Sequence, residues 1–222
     1  GADPDRAADQ VCLITASAER ALPDPARPLA ATSGPPLHQR FAEQATRTPN
    51  HVAVADPKES WTYAELASRS SQLAHRLLEL GVSPGDVVAI YAHRSASLVW
   101  AMLGVWKAGA AFVVLDPALP TVRLIDSVKL ARPKVWLELE AAGSPPKPIV
   151  EFLATQSTLA KITLPSWSSA VASRFLADRP VDAPSVTVAP EALAYVAFTS
   201  GSTGTPKGIL GSHGPLSHFV PW

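Results

Sequence analysis

Asp86–Asp116 reads D-V-V-A-I-Y-A-H-R-S-A-S-L-V-W-A-M-L-G-V-W-K-A-G-A-A-F-V-V-L-D. Its start, Asp86–Tyr91, is a short β-branched apolar run and predicts a buried strand. Ser95 or Ser97 then opens a helix, along which Val99, Met102, Leu103 and Trp106 recur. Lys107-Ala108-Gly109 closes it, because Gly109 suits the left-handed cap and Lys107 the negative helix end. Ala111–Asp116 is a second buried strand. Two such strands joined through a helix must pair in parallel by a crossover connection.

The same alternation extends outward. Upstream, Leu37, Phe41 and Ala45 form one stripe of a helix over Leu37–Arg47, which Pro49 ends. His51–Ala55 alternates as a short strand. Thr62 and Glu65 form a capping box before a helix to Leu80, with Leu66, Leu73, Leu77 and Leu80 on one face and Gly81 as its stop. His38 and His51 read as surface or packing residues, since neither has a second ligand at metal spacing.

Downstream, Thr121–Ala131 is a helix turning Val122, Ile125 and Val128, with Leu124 as a lesser member, toward a core. Lys134–Leu139 is a strand and Glu140–Pro148 a loop. Ile149–Ala154 reads as helix, Lys161–Leu164 as strand, Ser166–Ala177 as helix and Arg179–Pro190 as loop. Leu193–Phe198 and Ile209–Ser212 are strands, and Pro215–Trp222 begins a helix. The fold class is α/β: a mainly parallel sheet flanked by helices. Such sheets bind ligands at the carboxyl ends of their strands.

At one such end lies Thr199–Gly208, T-S-G-S-T-G-T-P-K-G. Its ten residues hold three glycines, five hydroxyl side chains, one proline and one lysine. Glycines bring backbone N–H groups close to an anion, hydroxyls add donors, and Lys207 adds a cation. The alternative is a flexible Gly/Ser turn between strands. The ordered Pro-Lys-Gly ending and the strand-like run before it favour a polyphosphate loop. It is not a Walker loop. Gly201 and Gly204 stand too close together, Pro206 precedes the lysine, and Gly208 occupies the Ser/Thr position.

Bulk properties bound the function. The 222 residues are 47% hydrophobic, and 19 basic side chains balance 19 acidic ones. No basic excess points to nucleic acid, and no apolar run is long enough to cross a membrane. Cys12, the single cysteine, has no intrachain partner, so a reducing cytoplasm is the expected compartment. Cys12 is not expected to be a nucleophile. The 22 prolines crowd the leader (Pro23, Pro25, Pro28, Pro35, Pro36) and a second break (Pro145, Pro146, Pro148), marking linker and loop.

Leu193–Gly208, L-A-Y-V-A-F-T-S-G-S-T-G-T-P-K-G, resembles the phosphate-loop motif of the adenylate-forming (AMP-binding) enzymes, above all the adenylation domains of nonribosomal peptide synthetases. Trp61–Leu66, W-T-Y-A-E-L, resembles the first core motif of those domains. Trp106–Asp116, W-K-A-G-A-A-F-V-V-L-D, with Pro117, resembles the second. Leu13–Leu29 resembles the connector that joins a condensation domain to an adenylation domain. The resemblance implies a linker over 1–36, expected to pack along the surface of the following domain. It implies the amino-terminal portion of an adenylation domain over 37–222.

The family reaction is attack of a carboxylate on the α-phosphate of Mg·ATP, giving an acyl-adenylate and pyrophosphate. Transfer to a phosphopantetheinyl carrier-domain thiol follows. By resemblance, Thr199, Ser200, Gly201, Ser202, Thr203 and Gly204 wrap the β- and γ-phosphates, with Lys207 as their cation. Thr199, Ser202, Thr203 and Lys207 are expected to matter most. Asp116 is expected to order its loop. His213 and His218 are expected to cap or pack rather than line the cleft.

The implied substrate is an amino or other carboxylic acid, and the implied partners are neighbouring condensation and carrier domains. The resemblance places the catalytic lysine, magnesium ligands and side-chain pocket beyond Trp222. The chain is therefore expected to be a piece of a larger protein, inactive alone, with Gly1 readable as a tag remnant. Asp116–Gly143, with R-P-K-V-W-L-E-L-E-A-A-G, and Ser217–Trp222, S-H-F-V-P-W, resemble synthetases ending in a thioester reductase. The competing readings are an acyl-CoA synthetase-type fragment, a non-catalytic or split half that docks with a partner chain, and a stand-alone nucleotide hydrolase. The last is disfavoured by the loop mismatch and by the lack of a clear Walker-B acidic strand.

Overall fold

A computed structural model describes residues 34–166, 171, 174–199 and 207–218, together with positions 15 and 17. Residues 1–31 form a unit separate from residues 32–222. Cys12 and nearly all of the expected linker lie outside the described residues.

Strands β1 (Val52–Ala55) and β2 (Ser60–Thr62) pair antiparallel as a small hairpin. Strands β3 (Val87–Tyr91), β4 (Ala111–Leu115), β5 (Val135–Leu139), β6 (Ala160–Leu164), β7 (Leu193–Thr199) and β8 (Lys207–Ser212) form the main sheet, in the order β6-β5-β3-β4-β7-β8. All neighbours in it are parallel except β7 and β8. The expected α/β class is present. The strand over His51–Ala55, however, stays out of the main sheet. Its turn is too short for a crossover. Asp56 Oδ1 accepts the N–H groups of Lys58 at 2.8 Å and Glu59 at 2.9 Å. Asp56 Oδ2 accepts from Ala96 at 2.9 Å, docking the hairpin on a helix start. Those N–H groups, Ala96 first, hold the Asp56 carboxyl below its usual range.

One face of the sheet is covered by α1 (Leu37–Arg47), α2 (Tyr63–Glu79) and α3 (Ala96–Lys107), with Leu73, Leu77, Trp100 and Trp106 in the core. The Thr62–Glu65 capping box opens α2, and Ser95 caps α3. Gly81 and Gly109 take positive φ after α2 and α3, as required of left-handed caps. Gly104 lets α2 and α3 approach, since a Cβ there would sit 2.6 Å from Leu73 Cδ2. The other face is covered by α4 (Thr121–Ala131) and α5 (Lys147–Ala154), over the stacked rings of Tyr91 and Trp136.

Further details correct or refine the sequence reading. Val122 is 71% exposed, whereas Leu124 and Val128 are buried. The latter two lie one helical turn apart on one face, and Val122 falls off it. Lys107 lies in the last turn of its helix, as expected, and its side chain turns inward there. It is buried, and its Nζ donates to the Ala67 carbonyl at 2.8 Å and Ser71 Oγ at 3.0 Å. Burial lowers its pKa to about 8. The loop over Glu140–Pro148 contains a 3-10 turn at Glu140–Ala142, and α5 begins within it at Lys147. Pro148 is tolerated there because the first helical turn needs no N–H donor.

Finally, the described part of Ser166–Ala177 holds turns rather than helix. Leu176 has φ 59°, which a right-handed helix excludes. A last helix, α6, spans His213–His218.

Candidate functional site

The sequence directs attention to Thr199–Gly208. Thr199 is the last residue of β7, Lys207 the first of β8, and the register pairs them directly. Ser200, Gly201, Ser202, Thr203 and Gly204 lie outside the described residues. Directly opposed residues of an antiparallel pair have Cα atoms about 4.5–5.5 Å apart and share one face. A hydroxyl and an ammonium group thus open the loop side by side, both exposed. Neither arm of the hairpin carries a carboxylate.

This pair sits at the carboxyl edge of the sheet. Val113 of β4 and Val196 of β7 are parallel partners, and Asp116 and Thr199 each follow three residues later. Asp116 Oδ1 accepts the Ala118 N–H at 2.9 Å and contacts His93 Nδ1 at 3.1 Å. This geometry agrees with the loop-ordering role expected of Asp116. The chain direction across the sheet reverses between β3 and β4, so His93 and Asp116 mark the topological switch point. A cleft of about 420 Å³ lies on the His93 side, lined in part by Asp56, Glu59, His93, Arg94 and Ser97.

The other end of the hairpin is fixed from below. Leu193 pairs with Ser212 and Tyr195 with Gly211, so Ala194 is an extra residue in β7, a bulge. The Ala194 carbonyl accepts Trp106 Nε1–H at 2.9 Å in a buried hydrogen bond. The bulge also shifts the alternation: Ala194 and Tyr195 face the α1–α3 layer, and Val196 and Phe198 the opposite one.

His213 follows β8 directly and is 0% exposed. Its ring packs edge-on to Trp106 at 5.7 Å and to His38 at 5.6 Å. Neither ring nitrogen of His213 has a hydrogen-bond partner among the described residues. Burial lowers its pKa to about 4. The pKa of His38 is also lowered to about 4, by burial first and then by the neighbouring His213 and Lys107. The expectation that His213 packs rather than lines the cleft agrees with this. The His218 side chain lies outside the description.

Sequence reasoning missed the hold of Trp106 on Ala194, at the end of the hairpin away from the loop. Its one available signal was Gly211, a glycine inside a strand, which marks close approach. The Tyr195 ring lies over it, and a Cβ at Gly211 would sit 2.1 Å from Tyr195 Cε1. Among the described residues no group of three His, Cys, Asp or Glu side chains is placed to hold a metal ion. No described helix is long and apolar enough to cross a membrane.

The family model "AMP-binding enzyme" matches residues 41–221, and the chain belongs to that family. It is 42% identical over 184 residues to a linear gramicidin synthase of Brevibacillus parabrevis, covering 82% of this chain and 3% of that one. It is 31% identical over 241 aligned residues to L-2-aminoadipate reductase of Saccharomyces cerevisiae, covering 99% of this chain and 17% of that one.

Among solved structures, the nonribosomal peptide synthetase FmoA3 in its AMPPNP-bound form matches with a TM-score of 0.69 and 25% identity. That match covers 88% of this chain and 19% of FmoA3. The resemblance to the amino-terminal portion of a synthetase adenylation domain therefore holds. The chain spans only a small part of the length of these relatives.

Proposed function

We propose that this chain belongs to an ATP-dependent ligase that activates an amino acid, or another carboxylic acid, as its acyl-adenylate. The supporting observation is the pairing of Thr199 with Lys207 at the carboxyl edge of the sheet in an AMP-binding family member. Attack of the carboxylate on the α-phosphate puts negative charge on departing pyrophosphate. Donors and a cation already in place stabilise that charge without reorganisation. Lys207 supplies the cation and Thr199 a donor. Ser200, Gly201, Ser202, Thr203 and Gly204 complete the wrap around the β- and γ-phosphates.

The donor set fits a polyphosphate, because the hairpin arms offer no competing carboxylate. Mg2+, when bound with ATP, neutralises phosphate charge; the described residues assemble no acidic cluster for it. The proposed acceptor is a phosphopantetheinyl carrier domain. Residues 1–36 serve as a linker from a condensation domain, and the proposed compartment is the cytoplasm. The test is amino-acid-dependent ATP–pyrophosphate exchange by the parent synthetase. Exchange that is lost in Lys207→Ala supports the reading, and exchange unaffected by that substitution contradicts it.

A second reading concerns the fate of the acyl group. Four of the similar relatives are L-2-aminoadipate reductases, 30–32% identical to this chain. On that reading the thioester leaves by reduction rather than by peptide transfer. A product formed by the parent only with a hydride donor would support it.

A further inference from the structure

Among the described residues, strand β8 has one sheet neighbour, β7. Residues 207–210 of β8 are exposed, so their burial does little to fix register. A slip of one residue would turn Lys207 to the opposite face from Thr199. Something else must hold the rung, and the structure offers two devices at the far end of the hairpin. The first is the Ala194 bulge, held by Trp106 Nε1. The second is His213, seated between Trp106 and His38. The His213 N–H donates to the Ala192 carbonyl at 3.1 Å, and the Gly214 N–H to the Pro190 carbonyl at 2.7 Å. Ser217 Oγ bonds the Pro35 carbonyl at 2.9 Å, so α6 is tied down on two sides.

We propose that Trp106 and His213 are positioning residues that lock the register of β8 and thereby place Lys207 opposite Thr199. The lock works over about 20 Å, the length of six extended residues. It works by shape: His213 fills a buried seat without a ring-nitrogen hydrogen bond among the described residues, while Trp106 clasps the one extra carbonyl of β7. The proposed phosphate grip is needed only to give the placement of Lys207 its use. The lock itself is independent of that reading.

The test is made on the 222-residue chain by NMR, with cross-strand Thr199–Lys207 contacts and amide exchange as readouts. His213→Ala is expected to remove the Thr199–Lys207 contact and to speed exchange across 207–212 by about tenfold or more, while β3 stays protected. His213→Phe, which keeps a ring in the seat, is expected to restore both signals. Trp106→Phe, which removes the bond to Ala194, is expected to weaken them.

An unchanged contact in His213→Ala, or failure of His213→Phe to restore it, overturns the lock. Equal loss of protection in β3 also overturns it, since the residue would then serve the whole core. Added inorganic pyrophosphate is followed separately. An intact register with no response to pyrophosphate would sink the phosphate reading and leave the lock standing.

Discussion

Thr199 and Lys207 occupy the last rung between β7 and β8, one closing the strand that enters the loop and the other opening the strand that leaves it. The rung presents a hydroxyl and a cation at the carboxyl edge of the sheet. A hydrogen bond to a charged group contributes about 1.5–3 kcal/mol. Lys207→Ala is therefore expected to weaken ATP binding by the parent enzyme roughly ten- to a hundredfold, with Lys207→Arg closer to wild type. Equilibrium binding of a non-hydrolysable ATP analogue reads the difference. Equal affinities would remove Lys207 from the site.

Gly211 is a second sensitive point. Its absent Cβ leaves room for the Tyr195 ring, which a methyl group would meet at 2.1 Å. Gly211→Ala is expected to cost about 1–3 kcal/mol, the range of overpacked sites. Gly208→Ala, at 3.3 Å from Phe198 Cε1, should cost less. Urea unfolding of the two variants gives the order, and the reverse order would refute the close approach at Gly211.

The contact between α2 and α3 makes an independent case. Gly104→Ala meets Leu73 Cδ2 at 2.6 Å and Cγ at 2.8 Å. Alone it is expected to destabilise the fold by about 1–3 kcal/mol. Combined with Leu73→Ala, the two costs should fall well short of additive, because removing Leu73 relieves the clash. Additive costs would show that Gly104 and Leu73 do not share one space.

Acid stability follows from the paired histidines. His38 and His213 each fall from 6.5 to about 4 in the folded state. Protons therefore prefer the unfolded chain between those values. The histidines' contribution is full above pH 6.5, declines as pH falls toward 4, and loses nothing more below that. At ~1.4 kcal/mol per pH unit the loss is on the order of 3 kcal/mol per histidine. Lys107, lowered from 10.5 to about 8, adds a rise in stability as pH climbs between those values. His38→Phe with His213→Phe should flatten the acid limb in denaturant titrations across pH. An unchanged limb would place the acid sensitivity elsewhere.

Much of the fold could be read from local chemistry. Thr62 with Glu65, Gly81 and Gly109 mark helix ends, and β-branched runs such as Val87–Tyr91 mark buried strands. These signals act within a few residues. What stayed hidden depends on distant partners. The β1–β2 hairpin lies outside the main sheet and is docked through Asp56 on the distant Ala96 N–H. Lys107 is buried because α2 offers it a carbonyl and a hydroxyl. At the site, the loop chemistry was legible in Thr199–Gly208. The hold of Trp106 on Ala194 was not, since 88 residues separate them and no periodicity encodes that contact.

The most direct test of the phosphate grip is titration of the chain with Mg2+ and inorganic pyrophosphate while following the backbone amides of Thr199 and Lys207. The account predicts saturable shifts at both residues, lost in Lys207→Ala and retained in a control, Lys129→Ala, which removes an exposed lysine of α4. No saturable shift at either residue, or an undiminished one in Lys207→Ala, would contradict it.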